Sequence, residues 1–469
     1  MHEVPAQQTA RAGSAKSLTL AAMSLGYGVV QLDVTIVNTA LNSIGMSLGG
    51  GISELQWIVS IYTITFAALI LTAGALGDRL GAKNVFMGGF AIFTAASLGC
   101  AVAPTSSILI AARAIQGVGA AILVPNSLAL LNHAYGNTER GRAVGVWAAG
   151  ASLALTAGPL IGGGLIELAG WRSIFLVNLP IGLGGLWLTW RYAADTPRTQ
   201  HRLDLPGQAA AIAMLGVLAG AIIESGRLGW TDARVMAGFV AFVALSALFL
   251  TQERRAREPM LPLSLFRHPM FALTSLVGLL VNIAFYGLIF VFSLYFQEVN
   301  HWSPFATGLA FVPMMGAVLP VNLVAPRLAE RIGAPAVIAL GALIAAAGCL
   351  GLIGLDRGTS YWALCTQLLA MGGGLGLLVP PLTSTLLGSV EKSRSGVAAG
   401  VLNSTRQTGS VLGVSLFGSL IGQTATFLFG ARIALIISAA LLVAAATAII
   451  SGDFSFAHRR PARATRRSR

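Results

Sequence analysis

The sequence predicts an all-α integral membrane protein: two pseudo-symmetric six-helix lobes with two further helices inserted between them. Three observations lead there: the composition, the recurrence of apolar runs of one length, and an internal repeat. Of 469 residues, 55% are hydrophobic and 10% charged, whereas a soluble domain carries roughly 25% charged residues. Apolar runs recur from Leu18 to Ile450, each of about 20 residues and so long enough to cross a hydrocarbon core of ~30 Å. Fourteen spans are expected, at 18–40, 55–75, 84–103, 107–132, 143–166, 173–191, 206–223, 233–251, 271–296, 304–325, 336–354, 361–387, 397–421 and 428–450.

The net charge of +13 would suit nucleic acid if it were clustered for that purpose, but its placement follows another rule. An even number of spans puts both termini on one side. If that side is the cytoplasm, the inner segments hold 23 of the 30 Lys and Arg residues, which is the positive-inside asymmetry of membrane proteins. The charge therefore reads as topology and attraction to the bilayer surface, with no nucleic acid as partner. Residues 1–16 are polar and precede a full-length span, so no cleaved signal peptide is expected. Cys100, Cys349 and Cys365 lack CxxC spacing and the six histidines never pair at i, i+3 or i+4, which excludes a disulfide framework and a histidine zinc motif.

The repeat has an offset near 252 residues. Leu76, Asp78, Arg79 and Gly81 recur as Leu328, Glu330, Arg331 and Gly333, while Gly117, Gly119, Leu123, Val124 and Pro125 recur as Gly372, Gly374, Leu378, Val379 and Pro380. Arg142, Gly158 and Gly162 are echoed by Arg394, Gly409 and Gly413. Paired lobes of this kind are the architecture of secondary transporters. The expected organisation is a cytoplasmic tail at 1–16, a first lobe at 17–192, two inserted helices with their flanking loops at 193–269, a second lobe at 270–451, and a basic tail at 452–469. The copies diverge in their buried charges: Asp33 aligns with Phe285, Arg113 with Leu368, and Leu155 with Arg406.

Six motifs, in order along nearly the whole chain, resemble the major facilitator superfamily and specifically its fourteen-helix drug:proton antiporter branch. Leu32-Asp-Val-Thr-Ile-Val-Asn-Thr-Ala-Leu41 is similar to that branch's first-helix motif, with Asn42 where a proline is usual. The segment from Gly74 to Phe86 resembles the superfamily's G-x-L-x-D-R-x-G-x-K signature, and Arg113 to Ala121 resembles the arginine-containing coupling motif. Gly158-Pro-Leu-Ile-Gly-Gly163 resembles the antiporter motif, with Ala154 in place of its leading glycine. Trp171 to Gly182 and Gly400 to Gly409 are similar to further segments of the branch.

Asp33 is the one acidic residue deep inside an apolar run. A carboxylate in hydrocarbon costs about 3 kcal/mol or more, so it reads as functional by default. Measured along the helices at about 1.5 Å per residue, Asp33 and Arg113 lie about 10 and 9 Å from the same membrane boundary. An arginine that approaches and withdraws can tune a carboxylate's hold on a proton, and desolvation works in the opposite sense. Asp33 and Arg113 are therefore the expected proton-coupling residues; a permanent ion pair that only fixes helix packing is the competing reading. Gln31, Thr35 and Asn38 form a second stripe on the same helix, about 200° away from Asp33. Either Asp33 or this stripe faces the central cavity, and the stripe suits interhelical hydrogen bonding as well as substrate contact.

Asp78, Arg79 and Lys83 form a candidate cytoplasmic gate. The resemblance implies that Asp78 meets the N-terminus of the second lobe's fifth helix, near Ser395, when the cavity opens outward, and an anion there gains about 0.3–1 kcal/mol. Gly158, Pro159, Gly162 and Gly163 make the fifth helix slim on one face, inviting close approach of another helix. The glycines at 372–376 lack the Gly-Lys-Ser/Thr ending of a phosphate loop, so no nucleotide site is expected. Asn403, Arg406, Gln407 and Ser410 share a face of the thirteenth helix. A mid-membrane cation must face protein or water; Arg406 either caps carbonyls at a broken helix or lines the cavity, where a purely cationic substrate would be disfavoured. The candidate cavity set is Gln31, Thr35, Asn38, Gln116, Asn403, Arg406 and Gln407.

The expected activity is export of a small amphipathic compound in exchange for protons by alternating access, without enzymatic chemistry, cofactor or metal, and with the proton gradient as energy source. The chain is expected to work as a monomer in a bacterial inner membrane, with both termini cytoplasmic as the charge placement implies. A proton-linked or facilitative importer is the alternative, opposed by the motif at Gly158–Gly163. A non-transporting membrane sensor is the other, opposed by the paired lobes and the retained gate.

Overall fold

A computed structural model describes residues 6–198, 204–256, 259–391, 394–422 and 426–459, and its regular elements are all helical among these. Fourteen helices result: α1 (Ala6–Leu48), α2 (Ile52–Leu80), α3 (Ala82–Ala101), α4 (Ser106–Ala134), α5 (Asn137–Ala169), α6 (Ser173–Tyr192), α7 (Leu205–Leu228), α8 (Ala233–Arg255), α9 (Pro269–Val299), α10 (Pro304–Ile332), α11 (Ala334–Leu350), α12 (Tyr361–Gly388), α13 (Ser395–Leu420) and α14 (Phe427–Arg459). Twelve are long and apolar enough to cross a membrane. The other two are α11, which is shorter, and α13, whose middle carries Asn403, Arg406 and Gln407.

The ends differ from the expected tails. α1 starts at Ala6, so most of the segment read as a tail continues the first helix. α14 runs on to Arg459, and residues 460–469 of the expected basic tail lie outside the described residues.

The repeat in the sequence is a repeat in packing. α1 lies against α5 and α6, α4 against α2 and α3, and α3 against α6; in the second lobe α9 lies against α13 and α14, α12 against α10 and α11, and α11 against α14. Small residues make these contacts close. A Cβ added at Gly117 would collide with the Tyr62 carbonyl oxygen, and one at the equivalent Gly372 with the Met314 carbonyl oxygen. Gly119 and Gly374 stand in the same way against α3 and α11. Gly81 and Gly333, which end α2 and α10, have φ of 95° and 89°, a conformation that glycine adopts without steric cost.

The two lobes meet mainly away from the face that carries the basic loops. There the Ser293 hydroxyl of α9 donates to the Asn38 carbonyl of α1, and the Thr156 hydroxyl of α5 donates to the Met315 carbonyl of α10 at 3.3 Å. Nearer the helix ends, Gly163 lies on Pro304 and Phe305, and Gly308 on the Pro159 carbonyl. A second seam joins α2 to α13: Gln56 donates to the carbonyls of Val414 and Ser415 at 3.0 and 2.8 Å, and Ser404 donates to Ala67 O at 2.8 Å. Towards the basic face, α4 and α5 have no comparable packing with α12 or α13 among the described residues. The lobes are thus joined away from the basic face and parted towards it, except where α2 and α13 stay in contact as far as Leu71 on Gly400.

The inserted helices lie at the α2–α13 seam. α7 touches both lobes: Gln208 donates to Ala68 O at 2.9 Å, Leu215 and Ala219 pack with Ile64, Ala67, Ala68 and Val411, and Gly226 fits against Ser419. α8 packs on α7 and presents Met236, Val240, Val243 and Leu248 outward.

Candidate functional site

The site starts from a proline. Pro180 has no N–H to close an α-helical bond to Leu176, and α6 is interrupted at Val177, between a short turn at Ser173–Leu176 and a helix at Asn178–Tyr192. The first residue after the interruption, Asn178, is fully buried. Its side-chain amide donates to Asp33 Oδ1 at 3.2 Å and to Ser97 Oγ at 3.3 Å.

Asp33 and Arg113 are paired as their depth predicts. Arg113 Nη1 donates to Asp33 Oδ2, and the two side chains are 0% and 1% exposed. Arg113 also donates to Ile58 O at 3.2 Å through Nε and to Gln116 Oε1 at 2.7 Å. Gln116 closes the ring by donating to Asp33 Oδ1 at 2.8 Å and Ser97 Oγ at 2.9 Å. The guanidinium stacks over the Tyr62 ring, 4.2 Å from its centroid, a contact that stabilises a desolvated cation by about 2 kcal/mol. Five helices, α1 to α4 and α6, therefore enclose a charge pair with both carboxylate oxygens occupied. Burying two charges is costly and is offset only by such complete bonding.

The structure resolves which face of α1 looks where. Asp33 points into the first lobe, and the opposite stripe points towards α5 and the second lobe. Gln31 is partly exposed, whereas Thr35 is buried and donates to Leu155 O of α5 at 3.0 Å. Asn38 is buried at the lobe junction, donating to Val34 O within its own helix. Gln116 lies in the enclosed ring rather than in the cavity, because its i+3 spacing from Arg113 puts both on one face of α4. Sequence reasoning named no role for Asn178, Ser97 or Tyr62; a lone amide and a lone hydroxyl in apolar runs were the available signal.

The wall of the parted side carries a second polar group. Arg406 is partly exposed and donates to Thr383 Oγ1 of α12 at 2.7 Å. Tyr27 of α1 and Tyr286 of α9 lie within electrostatic reach of it. Tyr27 stacks on Trp147 of α5 with ring centroids 4.3 Å apart. Asn403 is partly exposed and bonds its own helix at Ala399 O, and Gln407 is buried. α13 is continuous through this region, so Arg406 does not cap a broken helix.

The gate residues lie at the end of α2 and the start of α3. Asp78 and Arg79 are exposed, and Lys83 donates to Trp190 O at 3.0 Å. The Lys83 backbone N–H donates to Asp195 Oδ1 at 3.1 Å and that of Ala82 to Thr196 Oγ1 at 3.0 Å. The loop is thereby held by the segment following α6. Ser395 opens α13, and residues 392–393 just before it lie outside the described residues.

The glycines of α5 occupy two faces where one was expected. Gly158 and Gly162 face Thr35, Ile36 and Thr39 of α1, while Gly163, one residue further round, faces Pro304 of α10. One motif thus brings α5 close both to its own lobe and to the other.

A two-lobed helical bundle, parted on one side and holding a sealed charge pair in one lobe, has the architecture of a membrane transporter. The sequence profile of the Major Facilitator Superfamily matches residues 23–414, and the chain belongs to that superfamily. It is 37% identical over 432 residues to the methylenomycin A resistance protein of Streptomyces coelicolor, covering 92% of this chain and 90% of that one. It is 36% identical over 406 residues to the multidrug resistance protein Stp of Mycobacterium tuberculosis, covering 86% and 75%. Among solved structures, a bacterial homologue of the lysosomal transporter Spinster, described as inward-facing and unoccupied, superposes with a TM-score of 0.67 at 17% identity over 95% of this chain and 98% of that one, which is a likeness of fold.

Proposed function

We propose that the protein exports small amphipathic compounds, antibiotics among them, in exchange for protons by alternating access. The observation that carries the reading is the Asp33–Arg113 pair, one carboxylate held mid-membrane with its oxygens saturated by Arg113, Gln116 and Asn178. A movement that draws Arg113 away leaves a buried carboxylate without its cation, a state that binding a proton relieves. Return of the cation expels the proton. The names of the resistance and multidrug proteins to which the chain is similar support export over uptake. In this reading the basic face is cytoplasmic, the membrane is the bacterial inner membrane, the transporter works as a monomer, and the parted lobes are open to the cytoplasm. The proton gradient supplies the energy, with no cofactor.

Flux in proteoliposomes, with and without an imposed pH gradient, tests this. Export coupled to proton entry is the expected result. Co-entry of compound and proton would make the protein a symporter, and no flux under any gradient would make it a sensor.

A further inference from the structure

Arg406 is placed differently from Arg113. It sits in the middle of α13, and its recorded side-chain bond is to Thr383 Oγ1 at 2.7 Å. Among the described residues no carboxylate lies within ion-pair distance of it, whereas Arg113 is bonded to Asp33. The Arg406 side chain is partly exposed, and Tyr27 of the first lobe and Tyr286 of the second lie around it, so it stands between the lobes. A cation at this depth is expensive unless it meets water, protein dipoles or a ligand.

The acid that could have served as counter-charge is out of reach. Asp33 is 0% exposed and its two oxygens are engaged. Beside Arg406 a cationic compound therefore meets a guanidinium and, among the described residues, no carboxylate within ion-pair distance of it. An anionic compound meets a planar group with free donors, suited to two parallel bonds with a carboxylate. Around it stand rings: Tyr27 stacked on Trp147, and Tyr286 edge-on to Phe285 at 5.2 Å. Such rings accept a flat apolar body without fixing its shape.

We infer that the cavity takes amphipathic organic anions, with the substrate's carboxylate or equivalent group on Arg406 and Thr383 and its apolar body among Tyr27, Trp147 and Tyr286. This inference rests on the export reading above and names the substrate class.

The test uses three probes of one shape: 2-naphthoate, 2-naphthamide and 2-naphthylmethylammonium. Their binding to the purified full-length protein is measured by titration calorimetry, and their movement in proteoliposomes under a pH gradient. Naphthoate is expected to bind about tenfold or more tightly than the amide, the scale of one charge-assisted contact, and the ammonium most weakly. In Arg406→Gln the preference for naphthoate is expected to vanish, and in Arg406→Lys to persist in reduced form. The charge series in the unmodified protein decides the matter even if the variants misfold. Equal binding of all three, preference for the ammonium, or no binding of any overturns the anion site. If the amide and ammonium are exported as well as naphthoate, export stands and the anion site falls. If naphthoate binds preferentially but nothing moves under any gradient, the site stands and the export reading falls.

Discussion

The two lobes treat their arginines in opposite ways. In the first, Arg113 is sealed by a carboxylate, an amide, a backbone carbonyl and an aromatic face, and five helices converge to build that enclosure. In the second, Arg406 has one hydroxyl neighbour and an opening towards the space between the lobes. The helix pairings of the two lobes are equivalent, but the arginines stand on different helices of the repeat, the fourth of the first lobe and the fifth of the second: Leu155 occupies the position of Arg406 in the first lobe, and Phe285 and Leu368, both buried in the apolar core, occupy those of Asp33 and Arg113 in the second. A duplicated scaffold can thus keep its packing in both copies while dividing the charges between them, one copy holding a neutralised pair and the other an available cation.

The largest expected effect breaks the first lobe's half of this division. Asp33→Asn should insert and fold, because the amide copies the carboxylate's shape, yet it cannot titrate. Gradient-driven efflux from everted vesicles is expected to drop to the background of empty vesicles; wild-type efflux would remove Asp33 from the mechanism.

Equal damage to both lobes is expected from matched glycine substitutions. Gly117→Val and Gly372→Val each force a side chain into a neighbouring helix's carbonyl, and overpacking of this kind costs about 1–3 kcal/mol or more. Thermal unfolding in detergent should fall by similar amounts for the two variants. If one is tolerated, the packing repeat is not equivalent.

Next in size is the replacement of the first lobe's arginine. Arg113→Lys keeps the charge but loses the fork that reaches Asp33, Gln116 and Ile58 together, and transport is expected to fall about tenfold, the equivalent of ~1.4 kcal/mol. Substrate-induced proton release by the detergent-solubilised protein should be lost in Arg113→Ala. Unchanged release there would make Arg113 a packing residue.

The smallest effect concerns the gate. Asp78→Asn should weaken a helix-terminus interaction of about 0.3–1 kcal/mol and so raise the inward-open population roughly twofold to fivefold. Labelling of a cysteine placed in the cavity wall, from the cytoplasmic side, reads that shift; constant labelling at intact expression would contradict the gate.

The fold was legible because span length and lobe repeat are properties of one dimension. α13 stands among the apolar runs, at 397–421, although its polar middle makes it a weaker span than the others, and its echo of α5 at Gly409 and Gly413 agrees with that place in the repeat. The Asp33–Arg113 pair was legible from depth along two helices. What could not be read was the lateral arrangement. Depth does not tell that α3 and α6 bring Ser97 and Asn178 to the same point, whereas the inward turn of Gln116 was open to reading from its i+3 spacing to Arg113. The Gly158–Gly163 motif was read as one face because spacing along α5 does not reveal that a helix of the other lobe lies beside Gly163. The two alternatives for α1 were separated only once α5 was seen against Thr35.

One feature of the bundle gives it two unlike flanks towards lipid. α7 fits along the α2–α13 seam from Gln208 to Gly226, and α8 lies over α7 with its apolar side chains outward. The corresponding seam on the other flank, α5 against α10, carries no inserted helix. Acyl chains therefore touch the junction of the lobes along one flank only, and on the other they meet a two-helix screen. Rocking of the lobes must slide α2 and α13 beneath that screen, while on the bare flank the changing gap is filled by the bilayer itself.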